Sequence, residues 1–304
     1  MLDFLRQEGI DENIIERIEK FRSIYPAAPE DEYRISVPNY YYYGADVWNK
    51  ALTALLAGEN ILLVGPKATG KNVLAENLSA VFRRPEWNVS FYLNTDAASL
   101  IGTDTFKDGA VSFRQGPIYK CAVRGGFGIL DEINMAKNES LAVLHATLDF
   151  RRIIDVPGYD RIELAPCTRF IATMNYGYAG TRELNEALAS RFMVINMPVI
   201  SQTNLAKLLR AHYKNLKEDY AQLLAGLFED IRKKCDSSEI STKALDLRGL
   251  LSSVSLVANG LNMGQALEMG IVNKSFDDFE RQLVSDIIGT KINAGLSAAD
   301  IFES

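Results

Sequence analysis

The sequence is poor in histidine and cysteine, and the two shortages exclude several kinds of chemistry at once. Only His145 and His212 occur among 304 residues, so a histidine-based triad or a multi-histidine metal centre has almost no material to work with. Cys121, Cys167 and Cys235 are far apart and odd in number. They supply neither a disulfide framework nor zinc-ligand spacing, and they read as structural thiols. A basic excess is also lacking. With 33 lysines and arginines against 39 acidic residues, the formal net charge is -6, which argues against a general nucleic-acid or anionic-membrane binder while leaving a local basic pore open. No window reaches the roughly 18 apolar residues of a membrane span, and residues 1–7 lack the basic and apolar regions of a leader. The expectation is a cytoplasmic protein without a membrane span, for which nucleic acid is an unlikely partner.

What is present is ordinary globular material, 47% hydrophobic and 24% charged, long enough for one large domain and a smaller one. An acidic amphipathic stretch at 11–25 carries Ile14, Ile15, Ile18 and Phe21 at helical spacing and ends at Pro26. Residues 1–36 therefore read as an N-terminal helical extension. From residue 37, strands expected at 61–64, 89–93, 127–131, 170–174 and 194–197 alternate with helices such as 73–82 and 140–150. That alternation predicts an α/β fold with a parallel sheet covered by helices on both faces. After Pro198 the strand signal disappears. Helices expected at 205–216, 220–234, 243–258 and 276–288 make 200–304 a small all-α domain, and the change of periodicity near residue 199 marks the boundary with the 37–199 core.

Between the first strand and the next helix stands Gly65-Pro66-Lys67-Ala68-Thr69-Gly70-Lys71-Asn72. The first seven residues fit the GxxxxGK phosphate loop in the strand-to-helix context it requires. Successive backbone N–H groups and the helix N-terminus converge on a β-phosphate there, and Lys71 reaches the β and γ oxygens. Asn72 stands where Ser or Thr would give a hydroxyl to Mg²⁺. An amide oxygen lies one bond further out, so Asn72 ligates magnesium either poorly or through water, and slow hydrolysis is the expectation.

Gly128-Ile129-Leu130-Asp131-Glu132 is an apolar strand ending in two carboxylates. Behind a phosphate loop these acids divide the work: Asp131 holds Mg²⁺, and Glu132 polarises the water that attacks the γ-phosphate. The next strand ends in Asn175, an amide able to position the same water, or else a turn-initiating residue before Gly177.

The order of phosphate loop, acidic strand end, terminal Asn and Ala189-Ser190-Arg191-Phe192 resembles the AAA+ superfamily. More narrowly, the chain resembles the MoxR and dynein-related (AAA_5) group, which includes ATPases that activate Rubisco or nitric-oxide reductase and those of gas-vesicle assembly. Two insertions carry the narrower likeness. Gly102–Phe106 and Ala110–Phe113 bracket Asp108-Gly109, a type I′ signal, and are similar to the group's helix-2 insert. The pairs 153–156 and 161–164 bracket Pro157-Gly158 and match its hairpin before the sensor-1 strand.

The resemblance implies a five-stranded P-loop core with a C-terminal helical lid, ATP and Mg²⁺ as cofactors, and a homo-oligomeric ring, commonly six-membered. It makes Asn175 the sensor-1 residue and Arg191 the arginine finger reaching a neighbouring subunit, with Arg182 as a second candidate. For sensor 2 it offers Arg248, with Lys243 as the alternative. It further implies a remodelled or activated protein partner, often one with a von Willebrand A domain, engaged near Phe106 and Tyr159. Two other outputs stay open: a slowly hydrolysing, nucleotide-stabilised scaffold, and the AAA+ subunit of a metal chelatase, to which Phe106-Lys107-Asp108-Gly109 is also similar.

Overall fold

The computed structural model describes residues 1–107, 109–155, 161–176 and 183–303. The chain forms two compact units, Met1–Pro66 with Gly70–Pro198, and Val199–Ser304 with which the short stretch Lys67–Thr69 is grouped.

Among the described residues, the first unit has nine strands: β1 (Ile61–Val64), β2 (Glu86–Ser90), β3 (Gly102–Lys107), β4 (Ala110–Gln115), β5 (Phe127–Asp131), β6 (Ile153–Ile154), β7 (Ile162–Glu163), β8 (Arg169–Met174) and β9 (Met193–Asn196). Five of them form one parallel sheet in the order β2-β5-β8-β1-β9. The central strands are buried almost end to end, as a sheet covered on both faces demands. Successive residues of β1 feed opposite cores. Ile61 and Leu63 join Phe127, Ile129 and Ile171 on one face, whereas Leu62 and Val64 join Leu130, Phe170 and Ala172 on the other.

The first face is covered by four helices: α1 (Leu2–Gln7), α2 (Glu12–Ile24), α3 (Ala45–Ala57) and α4 (Lys71–Phe82). The N-terminal extension thus belongs to the core of the first unit. Leu5, Ile15 and Ile18 are fully buried beside Trp48, Leu52 and Phe82. The second face carries the helix Pro117–Arg124 and the segment 138–148, through Ile118, Leu141, Leu144 and Leu148.

At the end of the sheet where β5 and β8 begin, buried guanidinium groups hold down backbone carbonyls. Arg169 donates to the carbonyls of Leu55 (2.9 Å), Pro166 (2.8 Å) and Thr168 (2.7 Å). Arg84 donates to Gly125 at 2.9 Å and also to Tyr25. Leu55 and Gly125 lie at helix C-termini, where a cation meets the negative end of the helix dipole. Burial lowers Arg169 to about 10, with Arg152 adding repulsion.

Several expected boundaries move, each for a local reason. The strand expected at 89–93 is Glu86–Ser90, because the register with β5 puts Ser90 opposite Asp131 and the chain then leaves the sheet. The helix expected at 140–150 is broken into Asn138–Leu141, a tighter turn at Ala142–Leu144, and His145–Leu148. Leu141, Leu144 and Leu148 face the core in either winding, so apolar spacing does not distinguish them.

The second unit is helical: Gln202–His212, Glu218–Asp236, Leu247–Ala258, Met263–Gly270, Asp278–Lys291 and Ala298–Ile301. Its helices start where a side chain caps them. Ser201 accepts from Asn204 N, Asp246 from Arg248 N and Asp277 from Glu280 N, so the first of these helices begins earlier, and the other two later, than apolar periodicity alone predicts. Gly249 allows its helix to touch the next, since a Cβ there would stand 1.9 Å from the carbonyl oxygen of Gly270. Among the described residues, no helix is long and apolar enough to cross a membrane.

Candidate functional site

The phosphate loop leaves β1 at the strand end shared with β8. Gly65 N donates to Met174 O at 3.3 Å, fixing the first loop residue to the neighbouring strand. Ala68 (φ 61°) and Gly70 (φ 78°) take left-handed conformations, and they turn the chain into α4. A Cβ on Gly70 would also lie 3.2 Å from the Tyr42 ring. Lys71 is the first residue of α4, whose N-cap is Gly70 with no side chain to cap it, and the first-turn N–H groups of a helix suit an anion. The Lys71 ammonium donates to the carbonyls of Gly65 (2.9 Å) and Pro66 (2.7 Å), and is thereby held across the loop. Burial lowers its pKa to about 8, against a smaller opposing pull from Asp131 and Glu132.

The acids arrive from β5, two strands from β1 with β8 between them. Asp131 ends the strand, and Glu132 turns sharply away with φ 54°, a left-handed conformation that costs an L-residue about 1–2 kcal/mol. Strain of this kind in a non-glycine residue marks a place where the surroundings over-determine the backbone. Asp131 is gripped on both oxygens. Asn72 Nδ2 donates to its Oδ2 at 3.0 Å, and the Thr173 hydroxyl donates to its Oδ1 at 2.6 Å. Glu132 N donates to the same Thr173 oxygen at 3.0 Å, and Asn175 Nδ2 donates to Glu132 Oε1 at 3.1 Å. Asn134, buried, supports the backbone of Asn175 by donating from Nδ2 to its carbonyl at 2.9 Å.

Of the residues singled out from the sequence, Gly65, Pro66, Gly70, Lys71, Asn72, Asp131, Glu132 and Asn175 lie along one end of the sheet. Lys67, Ala68 and Thr69 form the loop tip. Arg191 stands elsewhere. Its Nε donates to His145 O at 3.1 Å, its guanidinium also meets Ala187 O, and it pairs with Asp149 at 3.5 Å, so it is held by groups of its own chain. Arg248 and Lys243 belong to the second unit; both are exposed, Arg248 in the first turn of its helix and Lys243 in the preceding loop. Arg182, the Pro157-Gly158 turn, Tyr159 and Asp108 lie outside the described residues. Around Asp108, β3 and β4 pair antiparallel as expected, Lys107 opposite Ala110, with Gly109 at φ 81°. Phe106 and Val111 face each other across that hairpin, both largely exposed.

Sequence reasoning missed Thr173 and Asn134. The signal for Thr173 was available, as a hydroxyl inside an otherwise apolar strand that has to find partners when buried.

The model of the AAA domain, dynein-related subfamily (AAA_5), matches residues 60–192. An uncharacterized protein of Bacillus subtilis, YojN, is 32% identical over 291 residues, 94% of this chain and 95% of that protein. An uncharacterized protein of Staphylococcus epidermidis is 34% identical over 248 residues, 80% of this chain and 94% of its own. The chain belongs to the AAA_5 group of AAA+ ATPases. Its five-stranded core and helical second unit are the AAA+ core and lid of that family, and an ATP-driven activity follows from the membership. The solved structure of a proposed ATPase from Cytophaga hutchinsonii aligns over 96% of this chain and 99% of its own, at a TM-score of 0.46 and 14% identity, a likeness too distant to carry an argument.

A lysine near pKa 8 binds phosphates only while protonated. ATP affinity is therefore expected to hold up to about pH 8 and to fall by up to roughly tenfold per unit above it, until the complex itself releases the proton. Calorimetric titration with ATP from pH 7 to 9.5 checks this, with Lys71→Ala as the weak-binding, flat control. A wild-type affinity unchanged to pH 9.5 would contradict it.

Proposed function

We propose that this AAA+ chain hydrolyses ATP between its phosphate loop and Glu132, works as a homo-oligomeric ring, and uses the cycle to remodel or activate a protein partner in the cytoplasm. The observation that supports the chemistry is the continuous hydrogen-bonded chain from Asn72 through Asp131, Thr173 and Glu132 to Asn175 at one end of the sheet. Lys71 and the N–H groups of the loop bind the β and γ phosphates. Glu132, oriented by Asn175, accepts the proton of the attacking water, and Asn175 keeps that carboxylate from swinging away.

The donor set suits Mg²⁺. Among the described residues no group of three or more His, Cys, Asp or Glu forms a dedicated metal cage, and magnesium characteristically takes one or two protein oxygens together with waters and substrate phosphates. Asp131 would hold it, with Asn72 as a neighbour. Bound there, the ion supplies neutralisation of phosphate charge. The Asn72 amide nitrogen is engaged with Asp131, so the residue serves mainly to orient that carboxylate, and turnover slower than with Ser or Thr at this position is part of the reading.

The ring is supported by membership in a family that works as oligomers, with Arg191 as the finger in trans. That role requires the Asp149 pair to open or to be shared at the interface. Arg248 is the favoured sensor 2 on the resemblance alone. The docking surface in this reading is the exposed Phe106 and Val111 pair near the tip of the β3–β4 hairpin; a von Willebrand A domain protein as the partner type rests on the family resemblance alone.

Mixing tests the ring. Arg191→Ala and Lys71→Ala proteins, each inactive alone, are expected to regain part of the wild-type ATPase rate when co-assembled, because some interfaces then join an intact loop to an intact finger. No recovery in verified mixed oligomers, or full activity in a strict monomer, would contradict it. For the hairpin, Phe106→Ala is expected to keep basal ATPase and oligomer size while losing partner capture from the native host; unchanged capture would refute the docking role.

A further inference from the structure

The Thr173 hydroxyl bonds to both acidic residues of the site, to the carboxylate of Asp131 and to the backbone N–H of Glu132. It is fully buried, in a strand whose neighbouring residues Phe170, Ile171, Ala172 and Met174 are apolar. A hydroxyl in such surroundings is costly unless its bonding capacity is used. Here one proton goes to Asp131 Oδ1 (2.6 Å) and one lone pair receives the Glu132 N–H (3.0 Å).

The backbone ladder explains why a side chain is needed at this point. The β5–β8 pairing runs from Phe127 beside Arg169 to Leu130 beside Ala172, and goes no further. The next residue on β8 is Thr173. Past the end of that ladder the Glu132 N–H is received by the Thr173 hydroxyl at 3.0 Å, and at Glu132 the chain turns away with φ 54°. The same oxygen therefore stabilises the left-handed kink that aims Glu132 toward Asn175 and fixes the rotation of the Asp131 carboxylate. Asn72 grips the other Asp131 oxygen, but from an exposed side chain at the start of α4. Of the two clamps, Thr173 is the one fixed in the core.

We infer that Thr173 is a positioning residue that sets both Asp131 and Glu132 from the neighbouring strand, needed for turnover and for the magnesium-dependent part of ATP affinity but not for nucleotide binding itself. The inference rests on the ATPase reading above. It separates two functions of one site: the loop and Lys71 bind phosphate independently of Thr173, whereas the acids require it.

The test compares wild type, Thr173→Val and Thr173→Ser as full chains, with calorimetry of a slowly hydrolysed ATP analogue with and without Mg²⁺ beside steady-state kinetics. Valine keeps the shape and can neither donate nor accept; serine restores both bonds. Thr173→Val is expected to lose about 10- to 100-fold in kcat, with metal-free analogue affinity within about twofold of wild type and the gain on adding Mg²⁺ cut by about fivefold, while Thr173→Ser stays within about threefold in every reading. If Thr173→Val does not fold, Thr173→Ala takes its place against Thr173→Ser. Undiminished turnover in the hydroxyl-free variant would overturn the inference. So would equal damage in the serine variant, or a loss of metal-free nucleotide affinity as large as the loss of turnover, since each marks a merely structural residue. A wild type that binds and hydrolyses ATP but shows no difference among the variants fails the inference alone; a wild type that does not bind or does not hydrolyse ATP fails the ATPase reading, and the inference with it.

Discussion

The parallel pairing of β5 with β8, in which Phe127 stands beside Arg169 and Leu130 beside Ala172, decides where Asp131, Glu132, Thr173 and Asn175 end up. Side chains alternate along a strand, so a slip of one residue would exchange the core face for the other and send Thr173 away from Asp131. The register is held by the apolar partition: Ile129 and Ile171 lie in one core, and Leu130, Phe170 and Ala172 in the other. β1, hydrogen-bonded to the far side of β8, brings the phosphate loop to the same end through Val64 beside Met174. The site is thus a consequence of how three buried strands align, with the loops added to a frame already fixed.

The other end of the sheet carries the complementary arrangement. Arg169 and Arg84 satisfy carbonyls that the helix ends and turns would otherwise leave buried and unpaired. A guanidinium with several donors in a fixed fork can serve several carbonyls at once, which a lysine ammonium does less well. One end of the fold presents N–H groups to an anion, and the other supplies cations to carbonyls. Both follow from the same direction of the parallel strands and the helices between them.

Much of this frame was legible in the residues. Uninterrupted apolar runs at 61–64 and 127–130, each leading to glycine, lysine or acid, identify buried strands that end in chemistry, and the family likeness follows from the order of those motifs. Tertiary context was less legible. The strand at 86–90 alternates inward Trp87 and Val89 with outward residues, so its limits depend on its partner β5. The segment 138–148 keeps one apolar face in either of two windings. Helices after Pro198 start at capping side chains, a signal carried by single residues such as Asp246 and Asp277. Within the site, the pairings of Asn72 with Asp131 and of Asn175 with Glu132 join residues 59 and 43 positions apart, and only the strand order reveals them. The hydroxyl of Thr173 in an apolar strand signals a need for partners, but which partners it finds, Asp131 and Glu132, depends on the strand order.

The central claim is that Glu132, held in its kinked conformation beside Asn175, activates the water that cleaves ATP. Phosphate release by the purified wild-type chain with Mg²⁺ and ATP, measured beside Glu132→Gln and Asn72→Thr under saturating nucleotide, tests it most directly. The account predicts turnover by wild type, undiminished ATP binding with turnover lowered by at least about a hundredfold in Glu132→Gln, and a rate in Asn72→Thr equal to or above that of wild type. Hydrolysis by Glu132→Gln at the wild-type rate would contradict it.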